Sequence, residues 1–424
     1  MQDKKVCVVG LGYVGLPLAA VCASKGYEVT GFDTDEKKLE KIKAGKSPFR
    51  EEFLEELLPK VKIKAAHDIN DIKNQDIYLI CVPTPVDEKY LPDLSPVIGA
   101  SQMVAENMSK GALVVLESTV NPGVSEDVVL PIFEKAGFQI GKDFHLSHCP
   151  ERVNPGDPKW NVGNIPRVVG SIEEEGLRRT KEFYKSIVDA EIMAMESIRE
   201  AEAVKILENS FRDVNIAFVN ELAMSLSKLG IDVTNVIKGA STKPYAFMAH
   251  WPSCGVGGHC IPVDPYYMIE KGKEYNFDHK FLKTARNINN HMPFYTVELL
   301  QDLLNNIEKN IKGAKIGVLG VSYKANVGDL RESPALVIIE DLKNRGAEVI
   351  IYDPYIPQLS TVESVEKLLA DSEAVILATN HKELEAITAD DFARNNVRVV
   401  VDGKNCLDKK TIRARGVIYA GIGR

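Results

Sequence analysis

The hydrophobic positions of this chain change their period twice. Residues 5–9 are a short apolar run, residues 16–25 carry a helical pattern, and residues 27–32 form a second apolar run that ends at Asp33. Runs at 76–82, 111–116 and 145–149 continue the alternation. Short apolar runs separated by helical segments predict a parallel sheet covered by helices on both faces. From Ser197 the period becomes helical and stays so, with no Gly or Pro across 198–229. Val204, Leu207, Phe211, Val214, Phe218, Leu222 and Leu226 recur there at spacings of three and four. That spacing predicts one long helix with a broad buried stripe. A second helical region covers 278–305. Strand-like runs then return at 314–319, 347–353, 371–380 and 397–402, echoing the order of the first section.

The first turn gives this pattern a chemistry. Gly10-Leu11-Gly12-Tyr13-Val14-Gly15 follows the opening strand at once, and the second strand ends in Asp33. Strand, glycines, helix, strand and terminal acid in that order predict a dinucleotide site. Gly10 makes the tight turn, Gly12 lets the pyrophosphate approach, and Gly15 lets helix and strand pack closely. The helix N-terminus faces the phosphates with its partial positive charge. Asp33 would accept from the adenosine ribose and repel a 2′-phosphate, which selects NAD over NADP. Tyr13, Val14 and Lys38 join these residues as expected NAD contacts. Val82, Pro83, Thr84 and Thr119 join them from the ends of the next strands, where an open parallel sheet holds its ligands.

The expected fold class is therefore α/β, two Rossmann-like doubly wound domains joined by a central helical domain. The 424 residues exceed one ordinary core, and the boundaries fall at 1–196, 197–311 and 312–424. The turn at 320–325 lacks GxGxxG, so a single NAD is expected.

Composition narrows the partners. A net charge of −8 argues against nucleic acid or an anionic membrane as the main partner. No apolar run is long enough to span a bilayer, and the start at Met1 leaves no room for a signal peptide. Seven cysteines without framework spacing predict reduced thiols in the cytoplasm. No metal is expected. His145, His148 and Cys149 follow strand periodicity, and Cys254, His259 and Cys260 are too close in sequence to converge on one ion.

Candidate chemistry centres on residues 255–267, Gly-Val-Gly-Gly-His-Cys-Ile-Pro-Val-Asp-Pro-Tyr-Tyr. Glycines before Cys260 permit close approach of another molecule, Asp264 follows four residues later, and Pro262 and Pro265 stiffen the segment. Cys260 reads as a nucleophile if neighbouring charge favours its thiolate, and otherwise as an inert thiol in a glycine-rich turn. Lys205 and Asn209 are four apart and share one helix face, within reach of one ligand; spacing alone favours an exposed helix edge. Lys324, Asp329, Arg331 and Glu332 lie before Ser333-Pro334, a helix start suited to a phosphorylated ligand and equally to a solvated charged loop.

GLGYVG, GVGGHCIPVDPYY and GVSYKANVGDLRESPA, in that order, resemble the UDP-glucose/GDP-mannose dehydrogenase family over nearly the whole chain. CPERVNPGD at 149–157 and the stretch before Cys260 look like its UDP-N-acetylhexosamine branch; Pro155 stands where glucose-specific members carry a second glutamate. The resemblance implies oxidation of the sugar C6 alcohol to the acid with two NAD per sugar, through a thioester on Cys260. It places Lys205 and Asn209 at the oxyanion and sugar, Asp264 beside the cysteine and the hydrolytic water, and Thr119 and Glu151 at water and protons. It assigns Arg152, Gly257, Lys324 and Arg286 to the sugar nucleotide and Arg331 to the cofactor. It also implies a homodimer through the central helices and a UDP site in the last domain. Residues 243–248 resemble the gluco-specific subgroup, so UDP-N-acetylglucosamine is the expected substrate, with the manno epimer as alternative, in cell-surface polysaccharide or glycan precursor synthesis. The arginine that many relatives carry before the glycines has no counterpart here, where Lys243 and His250 stand instead. Competing readings are a UDP-glucose dehydrogenase, a two-electron hydroxyacid dehydrogenase with Lys205 as base, and a non-enzymatic NAD-binding regulator.

Overall fold

The computed structural model describes residues 4–49, 51–87, 90–153 and 159–424. Two compact units form, one of residues 1–208 with 266–277, the other of residues 209–265 with 278–424.

The first unit is built on eight strands: β1 (Lys5–Val9), β2 (Glu28–Phe32), β3 (Ile63–Ala66), β4 (Ile77–Ile80), β5 (Ala112–Leu116), β6 (Phe144–His148), β7 (Arg167–Ser171) and β8 (Ile192–Ala194). Their order in the sheet is β3-β2-β1-β4-β5-β6-β7-β8. Every pair from β3 to β6 is parallel, and β7 runs antiparallel to β6. Because helices cover both faces, β4 and β5 are buried at every position, which is why they read as unbroken apolar runs. Val8, Leu79 and Val115 enter one core with helix Gly15–Ser24, while Val9, Ile80 and Leu116 enter the other with helix Ser95–Asn107. The strand order reverses between β1 and β4, so a crevice opens at their carboxyl ends.

The second unit repeats the device with β9 (Lys315–Leu319), β10 (Glu348–Tyr352), β11 (Ala374–Leu377), β12 (Val399–Asp402) and β13 (Ile418–Gly421). The order is β10-β9-β11-β12-β13, all parallel. Leu300 and Leu304 of helix Lys280–Asn305 pack with Ile316 and Ile338 in its core. The predicted likeness of the two sheets extends to single bonds. Leu11 N donates to Asp33 Oδ2 at 2.8 Å, and Val321 N donates to Asp353 Oδ2 at 2.6 Å. Asp353 differs in also accepting from Ser322 and pairing with the buried His381 at 3.1 Å. The acid that could receive a ribose in the first sheet is engaged by protein in the second.

One expectation is corrected by the long helix, Ile198–Lys228. Of the apolar stripe, Leu207, Phe211 and Phe218 are exposed within this chain. The buried face carries Glu202, Lys205, Asn209, Asp213 and Asn220 instead, at helical spacing. Glu202, Asn209, Asp213 and Asn220 are held there by specific partners, beside the buried Ile206, Ala217, Val219 and Ala223.

Candidate active site

The glycine-rich turn has the shape its sequence requires. Gly10 adopts φ +92°, and a Cβ there would lie 2.8 Å from Cys81 O. A Cβ at Gly15 would fall 1.9 Å from Gly10 O, so helix and strand touch only because both are glycine. Around Gly12 a Cβ would meet nothing within 4 Å, which leaves the open side of the turn for a pyrophosphate. Asp33 is buried at the end of β2, where Lys38 Nζ pairs with Oδ2 at 2.6 Å and Asp35 N donates to Oδ1 at 2.9 Å. Burial works against its charge, but Lys38 and the two backbone donors outweigh it and hold the carboxyl below its ordinary pKa. Oδ1, with one donor among the described residues, keeps acceptor capacity for a ribose hydroxyl. These residues fit NAD.

Beyond the next strand ends, Ser118 Oγ donates to Val82 O at 2.7 Å and ties together the loops after β4 and β5. Thr84 O accepts from Tyr267 Oη at 2.6 Å, and Tyr266 stacks on Tyr90 with centroids 4.3 Å apart, so the tyrosine pair grips the loop that carries Pro83 and Thr84. Thr119 is half-buried just past β5. Glu151 accepts from Arg152 N at 2.6 Å, Val153 N at 2.5 Å and the Arg167 guanidinium at 3.3 Å. Arg152 itself pairs with Glu208 at 2.5 Å and donates to Pro166 O.

Four residues that the sequence reading missed support this end of the sheet. Arg167 is wholly buried and bridges Glu151 and Glu117, and Tyr184 donates to Glu117 from the other side. Burial pushes the Glu117 carboxyl up, opposed by Arg167. Glu202, one turn before Lys205, accepts from Gly123 N at 2.5 Å and Ser125 N at 2.9 Å and so anchors the loop after Thr119 to the long helix. A charged residue leading the apolar run Arg-Val-Val at 167–169 was the available signal for Arg167. Lys205 is buried yet forms no ion pair among the described residues, an arrangement that is costly unless an anion visits.

In the second unit the cysteine loop is bolted to the last sheet. Cys254 N donates to Gly403 O at 2.9 Å, Ser253 N to Asn220 Oδ1 at 3.0 Å, and Gly258 N to Arg331 O at 2.9 Å. A Cβ on Gly257 would lie 2.6 Å from Tyr323 Cβ, and one on Gly258, at φ +90°, 2.8 Å from the Tyr323 ring. On the side a Cβ would take, the chain's own Tyr323 fills the space beside Gly257 and Gly258. Cys260 O accepts from Asp264 N at 2.8 Å, so the cysteine opens the first turn of helix Asp264–Glu274, where the helix dipole favours an anion. Its side chain is half-buried, as is that of Cys406, while Cys7, Cys22, Cys81, Cys149 and Cys254 are buried. Asp264 is buried and accepts from Asn209 Nδ2 at 2.5 Å.

Arg331 grips Asp329 with two guanidinium nitrogens, at 2.6–3.1 Å. Burial works to lower its pKa, but the bonds to Asp329 and the charges of Asp329, Tyr323 and Cys260 raise it on balance. Cys260 is thus close enough to feel that cation. Lys324 is half-buried in the same turn. Arg286 is committed to Asp213 at 2.5 Å, and Asn289 reinforces the pair. Pro155 lies outside the described residues. Among those described, no group of three or more His, Cys, Asp or Glu is placed to hold a metal ion, and no helix is long and apolar enough to cross a membrane.

Comparison with known proteins places three family models end to end on this chain. The UDP-glucose/GDP-mannose dehydrogenase family's NAD binding domain matches residues 4–188, its central domain 199–291 and its UDP binding domain 317–409. A UDP-N-acetyl-D-mannosamine dehydrogenase of Pyrococcus horikoshii is 36% identical over 99% of both chains. A UDP-N-acetyl-D-glucosamine 6-dehydrogenase of Pseudomonas aeruginosa is 33% identical over 96% of this chain and 98% of its own. The solved structure of a UDP-D-ManNAc dehydrogenase from Pyrococcus horikoshii superposes with a TM-score of 0.92 at 36% identity, covering 99% of both chains.

Proposed function

The chain belongs to the UDP-glucose/GDP-mannose dehydrogenase family, an NAD-binding oxidoreductase, and on that premise we propose that it oxidises C6 of a UDP-N-acetylhexosamine to the carboxylate through a thioester on Cys260. The observation that carries this reading is the half-buried Cys260 at a helix start, with the Asn209–Asp264 bond on the same helix turn.

The C6 alcohol loses a hydride and a proton to become an aldehyde. Cys260 Sγ adds to the carbonyl carbon, a second hydride leaves the thiohemiacetal, and water cleaves the resulting thioester to release the acid and restore the thiol. NAD held at the glycine turn and Asp33 would supply the hydride acceptor for each oxidation, with a fresh NAD replacing NADH between the two. Lys205 and the Asn209 amide stabilise the oxyanion at each stage. Asp264 fixes that amide and assists the hydrolytic water. Thr119 and Glu151 place water and take up protons. Arg152, Lys324 and the backbone of Gly257 hold the sugar nucleotide, with the UDP part in the last domain; Arg331 serves the cofactor. Arg286 holds Asp213 one turn beyond Asn209 and so acts on the sugar pocket through the helix. The exposed Phe211 and Phe218, with Tyr245 and Met248, form the face of a cytoplasmic homodimer.

Cofactor choice follows from Asp33. NAD is expected to exceed NADP in kcat/KM by roughly 10²-fold, since like charges at close range cost several kcal/mol. Steady-state rates with both cofactors check this; equal values would remove Asp33 from the ribose.

The sugar is tested by offering UDP-N-acetylglucosamine, UDP-N-acetylmannosamine and UDP-glucose. A pocket that admits the acetamido group must pair its amide, because a buried unpaired amide costs about 1–3 kcal/mol. One N-acetyl epimer should lead. Residues 243–248 favour the gluco form, while the 36% identical relative carries the manno name. A clear preference for UDP-glucose would overturn the branch assignment and leave the two-step chemistry standing.

A further inference from the structure

The loop that carries Cys260 is tied at both ends to one face of the long helix. Asn209, Asp213 and Asn220 lie on that face at helical spacing, and all three are buried. After the cysteine, Asn209 Nδ2 donates to Asp264 Oδ2 at 2.5 Å. Before it, Asn220 Oδ1 accepts from Ser253 N at 3.0 Å. The two asparagines stand about 16 Å apart along the helix axis, and residues 253–264 run between their partners. Gly255, Gly257 and Gly258 give the backbone ahead of Cys260 little torsional preference of its own. The place of the thiol therefore depends on what holds the loop.

Asn220 is itself fixed from behind. A backbone N–H can only donate, so the bond from Ser253 puts the amide oxygen of Asn220 on the loop side. Its Nδ2 then faces inward and donates to Asn289 Oδ1 at 2.9 Å. Asn289 Nδ2 donates in turn to Asp213 Oδ1 at 2.8 Å, the same carboxylate that Arg286 pairs with at 2.5 Å. Asn220 is wholly buried and Asn289 nearly so, which keeps water from replacing either partner. A buried amide with both sides engaged is locked in one orientation, and it imposes that orientation on the group it bonds.

We propose that Asn220 is a positioning residue for Cys260: by holding Ser253 to the helix face that presents Asn209, it sets the reach of the thiol to the aldehyde carbon. This role rests on the thioester chemistry proposed above. The first oxidation removes a hydride and a proton from the C6 alcohol and needs no bond to sulfur. The second begins only when Cys260 Sγ adds to the aldehyde carbon and the carbonyl oxygen takes up the negative charge. A displacement of about 1 Å in a reacting group can cost roughly 10²-fold in rate, and an aldehyde that is not captured leaves. Loss of Asn220 should therefore uncouple the two oxidations rather than slow both alike.

The test counts NADH against uronic acid for wild type and Asn220→Ala, on whichever UDP-N-acetylhexosamine the wild type turns over. Semicarbazide is present to trap free aldehyde, and thermal unfolding is measured alongside. Wild type should release two NADH per acid and give no semicarbazone. Asn220→Ala should make acid about tenfold to a hundredfold more slowly, with more than two NADH per acid, semicarbazone accounting for the excess, and the KM for NAD unchanged. Partial unfolding would lower NADH and acid together and leave their ratio at two. Asn220→Ser, whose hydroxyl is too short to reach Ser253 N, carries the test if the alanine variant fails to fold. A folded alanine or serine variant that stays at two NADH per acid, beside a wild type at two, overturns the role of Asn220 alone. A wild type that stops at one NADH per sugar overturns the parent reading and this role with it.

Discussion

Cys260→Ser is expected to abolish multiple turnover to the uronic acid, with kcat falling by roughly 10³-fold or more, as for the loss of other catalytic nucleophiles. The chemistry gives the reason. A serine alkoxide is harder to form than a thiolate, and the oxygen ester that would follow hydrolyses less readily than a thioester. The helix start and the Arg331 cation would still be present, so the loss would belong to the sulfur atom. The loop should survive the change, because it is anchored by Cys254, Ser253 and Gly258 through their backbone N–H groups. Mass spectrometry of the serine variant after incubation with NAD and substrate should reveal a retained sugar adduct. Acid production near the wild-type rate would discard the thioester and raise the two-electron reading.

The second large effect is expected at Lys205. Lys205→Met keeps the apolar stem and removes the charge, and kcat should fall by about 10²–10³-fold, the usual cost of losing one oxyanion donor. The KM for NAD should change little, since the glycine turn and Asp33 are untouched. Because Lys205 has no carboxylate partner among the described residues, the substitution orphans nothing, and thermal stability should hold or rise. A loss smaller than tenfold would take Lys205 out of the chemistry. Asn209 would be a poorer probe, because its removal also strips the buried Asp264 of a donor.

The parts of this molecule legible in sequence are those where local geometry dictates residue type. Gly10 and Gly15 could be read because the turn admits no side chain, and Asp33 because the acid that ends the second strand bonds back to that turn. The repeat of the fold was legible for the same reason, down to the Asp33 and Asp353 bonds to the turn of each sheet. The long helix was legible in length but not in orientation. Hydropathy assigns Leu207, Phe211 and Phe218 to the interior, on the assumption that a chain buries its own apolar groups. The buried face of this helix carries Lys205 together with Glu202, Asn209 and Asp213, and the partners of those three come from elsewhere in the chain. The Arg167 bridge was silent because it joins residues 50 positions apart, and no periodicity records such a bond.

The central claim is a four-electron oxidation through Cys260, and the NADH yield from a limiting amount of UDP-N-acetylhexosamine tests it most directly. Two NADH released per sugar, with the uronic acid as product, is the predicted result. One NADH per sugar, with the product left at the aldehyde or ketone level, would contradict it.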